Sequence, residues 1–218
     1  WKMFTNLAEA VTLVEGLKAR TTDIEKVEIA IFPPFTHLSR AVELLKDSQI
    51  KVGGQTLHWE EKGAFTGEIS AEMLLSTGCQ CVLIGHSERR QYFGETDKTV
   101  NQRLKRALFA GLSPIVCVGE TLAQREAGHM QSVIQKQIQG AFAEITPSEF
   151  SKTVIAYEPV WAIGTGVTAT PEQAQEVHAM IRNLLAGIYD NTLSTACRIQ
   201  YGGSVKPQNA TELMSRKD

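Results

Sequence analysis

The sequence lacks an excess of charge of either sign. Its 22 Lys and Arg residues stand against 24 Asp and Glu, a formal −2 at pH 7 with no basic stripe. A nucleic-acid partner, which needs clustered cations, is therefore not expected. No apolar run approaches the roughly 20 residues of a membrane-spanning helix, and no signal-peptide pattern is visible, so a cytoplasmic protein with no membrane partner is expected. The four cysteines, Cys79, Cys81, Cys117 and Cys197, lie in or beside apolar runs, as buried free thiols do in a reducing compartment. Cys79-x-Cys81 has no complementary Cys/His pair to complete a metal site, so no metal is expected. The glycine fingerprint of a dinucleotide-binding sheet is missing after the first strand, and no cofactor is expected.

What is present is an alternation of strand and helix patterns over a length, 218 residues, that suits one domain spanning 1–218. Asn6 to Arg20 reads as an amphipathic helix opened by an Asn6/Glu9 capping box. Strands are predicted at Val27–Phe32, Ile50–Gly54, Cys81–Gly85, Ser113–Val118, Thr153–Glu158 and Arg198–Gln200. They are continuous apolar runs, the mark of a parallel sheet buried on both faces. Between the second and third lies a long loop, Gln55–Glu68. Polar residues gather just after several different strands: Lys2, His86, Glu88, Glu120, Glu158 and Gly202-Gly203-Ser204. That distribution favours a (βα)8 barrel over an open sheet.

The stretch Ala156 to Gly166 carries the chemistry. A buried strand ends in Glu158, and Pro159 halts the pairing. The apolar tip Val160-Trp161-Ala162-Ile163 and the glycines Gly164 and Gly166 read as a mobile flap able to bare N–H groups to an anion. Thr170, Pro171 and Gln173 then start a helix. His86, before a helical turn, is placed to stay neutral and donate to a carbonyl. His37, His58, His129 and His178 read as surface or interface residues. Glu88 fits a loop-organising ion pair as well as a chemical role, and Lys2 alone would be a solvated lysine. Gly202-Gly203-Ser204 is a plausible phosphate nest without the spacing of a P-loop. A base, a neutral donor and an anion site together suit proton abstraction beside the carbonyl of a small phosphorylated substrate.

Five motifs carry a resemblance over essentially the whole chain: WKM at Trp1–Met3, GAFTGEIS at Gly63–Ser70, IGHSERR at Ile84–Arg90, AYEPVWAIGTG at Ala156–Gly166 and YGGSV at Tyr201–Val205. In content, order and separation they resemble the triosephosphate isomerase family, whose fold is the TIM barrel. The resemblance implies interconversion of dihydroxyacetone phosphate and glyceraldehyde 3-phosphate through an enediolate, as in glycolysis and gluconeogenesis. It implies Glu158 as base, His86 as electrophile and proton shuttle, and Lys2 as charge compensation. Glu88 would support that cluster, and Gly164 and Ser204 would hold the phosphate. It also implies a homodimer through the Gln55–Glu68 loop, with Thr66 near the neighbouring active site. The family's first strand and last strand-helix unit are absent from the sequence, so a barrel incomplete at both ends is expected. An inactive barrel fragment, a phosphate-binding protein and a retaining glycosidase using Glu88 and Glu158 are the alternatives.

Overall fold

The computed structural model describes residues 1–218. The chain gathers into two compact units, one of Trp1–Ile84 with Arg103–Pro114, the other of Gly85–Gln102 with Ile115–Asp218.

In the first unit β1 (Ala30–Ile31), β2 (Lys51–Gly54) and β3 (Cys81–Ile84) pair in parallel, with Ala30 opposite Lys51 and Gly53 opposite Cys81. Gly53 has no room for a side chain: a Cβ there would lie 2.6 Å from the Cys81 carbonyl oxygen and from the Phe32 ring. β1 is shorter than the expected Val27–Phe32. Val27 and Glu28 are exposed, and pairing begins only where the Lys51 N–H reaches the Ile29 carbonyl at 2.8 Å. The Leu7–Arg20 helix opens on the expected capping box, Asn6 Oδ1 accepting from Glu9 N–H at 3.1 Å and Glu9 Oε2 from Asn6 N–H at 2.8 Å. Gln55–Glu68 contains no helix or strand. It folds on itself around His58, whose ring lies 4.2 Å from Trp59 and 4.3 Å from Phe65, while the Arg103 guanidinium stacks over Trp59 at 5.1 Å.

In the second unit β4 (Ser113–Val118, belonging to this unit from Ile115), β5 (Val154–Tyr157) and β6 (Arg198–Tyr201) are also parallel, with Ile115, Val154 and Arg198 side by side. Val116, Cys117, Ile155 and Tyr157 are almost wholly buried, in keeping with strands written as unbroken apolar runs. The Pro171–Ile188 helix begins at the Thr170/Gln173 box. Three short helices have no counterpart in the sequence reading: Ala71–Ser76, Pro147–Phe150 and Asn191–Ala196. They have side-chain caps in Ser70, Thr146 and Asp190, but are too short for a 3.6-residue period to register.

Three of the four histidines expected at a surface or interface are buried within the chain: His37, His58 and His178. His178 lies on the inner stripe of its helix with Ala174, Val177, Ile181 and Leu185, and burial lowers its pKa. All four cysteines are free and buried.

Asn101, on the Asp97–Ala110 helix, closes the end of the Met130–Ala141 helix by donating to the carbonyls of Ala141 (2.8 Å) and Ala143 (2.9 Å). Helix ends leave such carbonyls without intrahelical partners. Asn101→Ala should therefore lower stability by about 1–3 kcal/mol. Urea unfolding checks the loss, and kcat should not move.

Candidate active site

Glu158 lies one residue past β5, yet its N–H still reaches across to the Val118 carbonyl at 2.7 Å. This extra rung holds its backbone at the carboxyl end of the strand. The side chain is only 6% exposed, and both carboxylate oxygens are engaged. Oε2 accepts the Ser87 backbone N–H at 2.8 Å, and Oε1 lies 3.2 Å from His86 Nε2. Burial pushes the carboxyl above its ordinary value of 4.5, while His86, the Ser87 N–H and the Cys117 thiol act in the opposite direction. Cys117 is itself kept protonated by burial and by the charge on Glu158.

His86 is aimed by its neighbours. Gly85 takes φ +74°, a region that favours glycine, and a Cβ there would lie 2.8 Å from Val100 Cγ2. The Arg90 guanidinium donates to the Gly85 carbonyl at 2.9 Å and to Asp97 at 2.7 Å, which pins the turn. His86 caps the short Ser87–Tyr92 helix, its Nδ1 accepting the Glu88 N–H at 3.2 Å. An Nδ1 that accepts leaves the proton of a neutral imidazole on Nε2, the nitrogen that faces Glu158. The Glu88 carboxylate stands on the other side of the ring, 3.8 Å from Nδ1. Arg89 with Glu95 and Arg90 with Asp97 form ion pairs in this loop.

Two glycines leave room for Glu158. A Cβ on Gly119 would fall 1.7 Å from the Glu158 carbonyl oxygen, and one on Gly202 would fall 2.8 Å from Glu158 Cγ. Gly119→Ala should therefore displace the Glu158 backbone and cost about 1–3 kcal/mol as an overpacked contact. A lowered melting temperature together with a reduced kcat at unchanged KM would register it.

The segment after Glu158 is tethered by Glu120, which is fully buried. Its Oε1 accepts from the Tyr157 hydroxyl (3.0 Å), the Trp161 indole N–H (2.9 Å) and Arg125 (3.1 Å). Burial and the Glu120 charge hold the Tyr157 phenol protonated, so it remains a donor. Beyond Trp161 the chain is exposed from Gly164 to Thr168, with Gly164 at φ +68° and Gly166 at φ +81°. The Gly202-Gly203-Ser204 turn differs from the bare nest expected. The Gly202 N–H donates to the Tyr157 carbonyl at 2.6 Å. The Ser204 N–H and hydroxyl both donate to the Ala162 carbonyl, at 3.2 and 3.0 Å.

His86, Glu88 and Glu158 thus meet at one point, and Gly164 and Ser204 belong to the same unit. Lys2 belongs to the other unit, where it adopts φ +48° and its carbonyl accepts from the Gln55 side chain at 2.8 Å. No group of three or more His, Cys, Asp or Glu side chains is arranged to hold a metal ion. Sequence reasoning missed Arg90, Asp97, Cys117 and Gly119, whose roles depend on partners brought from elsewhere in the chain.

A family model described as triosephosphate isomerase matches residues 1–218. The triosephosphate isomerase of Endomicrobium trichonymphae is 53% identical over 218 residues, covering 100% of this chain and 87% of that protein. That of Trichlorobacter lovleyi is 51% identical over the same share of each. That of Alkaliphilus metalliredigens is 53% identical over 220 residues, 88% of its length.

Proposed function

Because this chain belongs to the triosephosphate isomerase family, we propose that Glu158 is the base and His86 the electrophile of its reaction. The protein is an isomerase of the TIM-barrel class that interconverts dihydroxyacetone phosphate and glyceraldehyde 3-phosphate. The observation that carries the residue assignment is the buried Glu158 carboxylate lying 3.2 Å from His86 Nε2. A carboxylate raised by burial is a stronger base than one in water, and it is close enough to share a substrate with the imidazole.

In this arrangement the His86 Nε2–H faces a Glu158 oxygen. When substrate enters, its carbonyl takes over that hydrogen bond and frees the carboxylate oxygen to remove the C1 proton. The electrons of the C1–H bond move into the C1–C2 bond and the carbonyl oxygen gains the charge, which the Nε2–H stabilises. His86 then moves the proton between the two oxygens, and Glu158 returns its own proton to C2. Lys2 and Glu88 take the charge-compensating and supporting roles implied by the WKM and IGHSERR motifs. Gly164 and Ser204 hold the phosphate. For Ser204 this means giving up the Ala162 carbonyl, so phosphate binding releases one tether of the flap at the moment the flap must close. Closure keeps water from the enediolate, which can otherwise expel phosphate. The Gln55–Glu68 loop is the dimer contact, and the setting is cytoplasmic. No helix is long and apolar enough to cross a membrane.

A retaining glycosidase needs two carboxylates about 5 Å apart across a sugar-binding groove. Here each carboxylate instead faces a ring nitrogen of His86, Glu88 facing Nδ1 at 3.8 Å and Glu158 facing Nε2 at 3.2 Å, an arrangement that favours the isomerase reading. The deciding experiment is turnover of dihydroxyacetone phosphate by the purified chain in deuterium oxide. The expected product carries solvent deuterium at C2 of glyceraldehyde 3-phosphate. Inorganic phosphate binding with neither product nor exchange would instead describe a phosphate-binding barrel.

A further inference from the structure

We infer that Gln137, far from the reacting atoms in sequence and not in contact with them, is a positioning residue for the base. The inference rests on Glu158 being that base. β4 makes its last ladder pair at Val118, opposite Tyr157. The chain then continues as Gly119-Glu120, and the Glu158–Val160 segment runs along it. Glu158 N–H donates to the Val118 carbonyl at 2.7 Å and Val160 N–H to the Glu120 carbonyl at 3.1 Å. Between those two bonds Gly119 touches the Glu158 carbonyl, so closely that a Cβ would lie 1.7 Å from it. Residues 118–120 are therefore a rail that sets where the Glu158 backbone leaves the sheet.

The rail needs a support of its own, because Gly119 has run past the strand pairing. Gln137 supplies it. Its Oε1 accepts the Gly119 N–H at 2.8 Å, and its Nε2 donates to the Gly119 carbonyl at 3.0 Å. One side-chain amide thus replaces the missing rung of the ladder, meeting both backbone groups of one residue. Only Asn and Gln carry an acceptor and an NH2 donor on a single planar group, and only Gln has the longer reach. The amide is held firmly. It projects from the Met130–Ala141 helix beside Ile134, Ile138 and Ala141, which are buried. It also lines a cavity of about 680 Å³ whose walls include Ser87, Gly119, Val160 and Trp161. Each of these either holds the Glu158 carboxylate, touches its backbone or begins the flap.

The test compares Gln137→Met, of similar length but without either hydrogen bond, with Gln137→Glu, which keeps the acceptor and sets an anion against the Gly119 carbonyl. Each is made alone and combined with Glu158→Gln. A displaced base should lower kcat by about ten- to a hundredfold. KM for dihydroxyacetone phosphate should stay within about twofold, because phosphate contacts are untouched. In the Glu158→Gln background the same changes should have almost no further effect on kcat, since there is no base left to misplace. Full multiplication of the two losses, or a change confined to KM or to the melting temperature, overturns the inference. The Glu158→Gln single variant reports separately on the base assignment: a loss under tenfold there removes Glu158 whatever Gln137 does.

Discussion

Glu158→Gln should lower kcat by about two to four orders of magnitude, the range a positioned general base contributes. KM should change little, because the role proposed for Glu158 is in breaking the C–H bond and not in holding the phosphate. The amide is nearly isosteric and can still accept the Ser87 N–H, so the loss is chemical and not a collapse of the site. A loss under tenfold would remove Glu158 from the role of base. The pH dependence follows from the same burial. The carboxyl titrates above its ordinary value of 4.5, so kcat/KM should fall on the acid side with a midpoint higher than that of a free carboxylate. Stability runs the other way. A carboxyl raised in the folded chain favours folding when protonated, fully so below its unfolded value, and that advantage is lost as pH rises through the folded value. At neutral pH the ionised group is thus a burden on the fold, and Glu158→Gln should melt higher than the parent. A lower melting temperature would mean that His86 and Ser87 more than repay the burial.

The parts of the fold legible in advance were those written in local pattern. β4 was read at its full bounds because Ser113–Val118 is an unbroken apolar run, and the Thr170/Gln173 box fixed a helix start because its partners are three residues apart. The geometry of the candidate site was half legible. Glu158 and His86 stand at strand ends, where position alone marks them. What holds them comes from elsewhere: Ser87 lies 71 residues from Glu158, Arg90 reaches 27 residues to the Cys117 carbonyl, and Gln137 reaches 18 to Gly119. No window of sequence contains both members of those pairs. Glu120 was visible as a strand-end acid, but its service to Tyr157 and Trp161, 37 and 41 residues away, was not. The bonding of Ser204 was hidden for a different reason. The glycines and hydroxyl of a phosphate nest are present, yet in the folded chain the serine is bonded to Ala162, and composition cannot say which acceptor wins.

His86→Gln should lower kcat/KM by an amount equivalent to about 3 kcal/mol, the usual loss when one oriented donor to a developing oxyanion is removed. The geometry sets this expectation. Nδ1 is occupied by the Glu88 N–H at 3.2 Å, so the ring is fixed in the tautomer that points Nε2–H at the reacting centre, 3.2 Å from the Glu158 oxygen a substrate carbonyl would displace. A glutamine has a donor too, but its amide is not locked by the helix N-terminus and cannot carry a proton from one enediolate oxygen to the other. Binding of inorganic phosphate should be unchanged, which separates a lost electrophile from a disordered pocket. Glu88→Gln is the contrasting case: its carboxylate is 3.8 Å from Nδ1 and on the far side of the ring from Glu158, so its removal should alter turnover much less. Near-normal turnover in His86→Gln would mean that some other group stabilises the oxyanion, and the imidazole would then serve only to cap its helix.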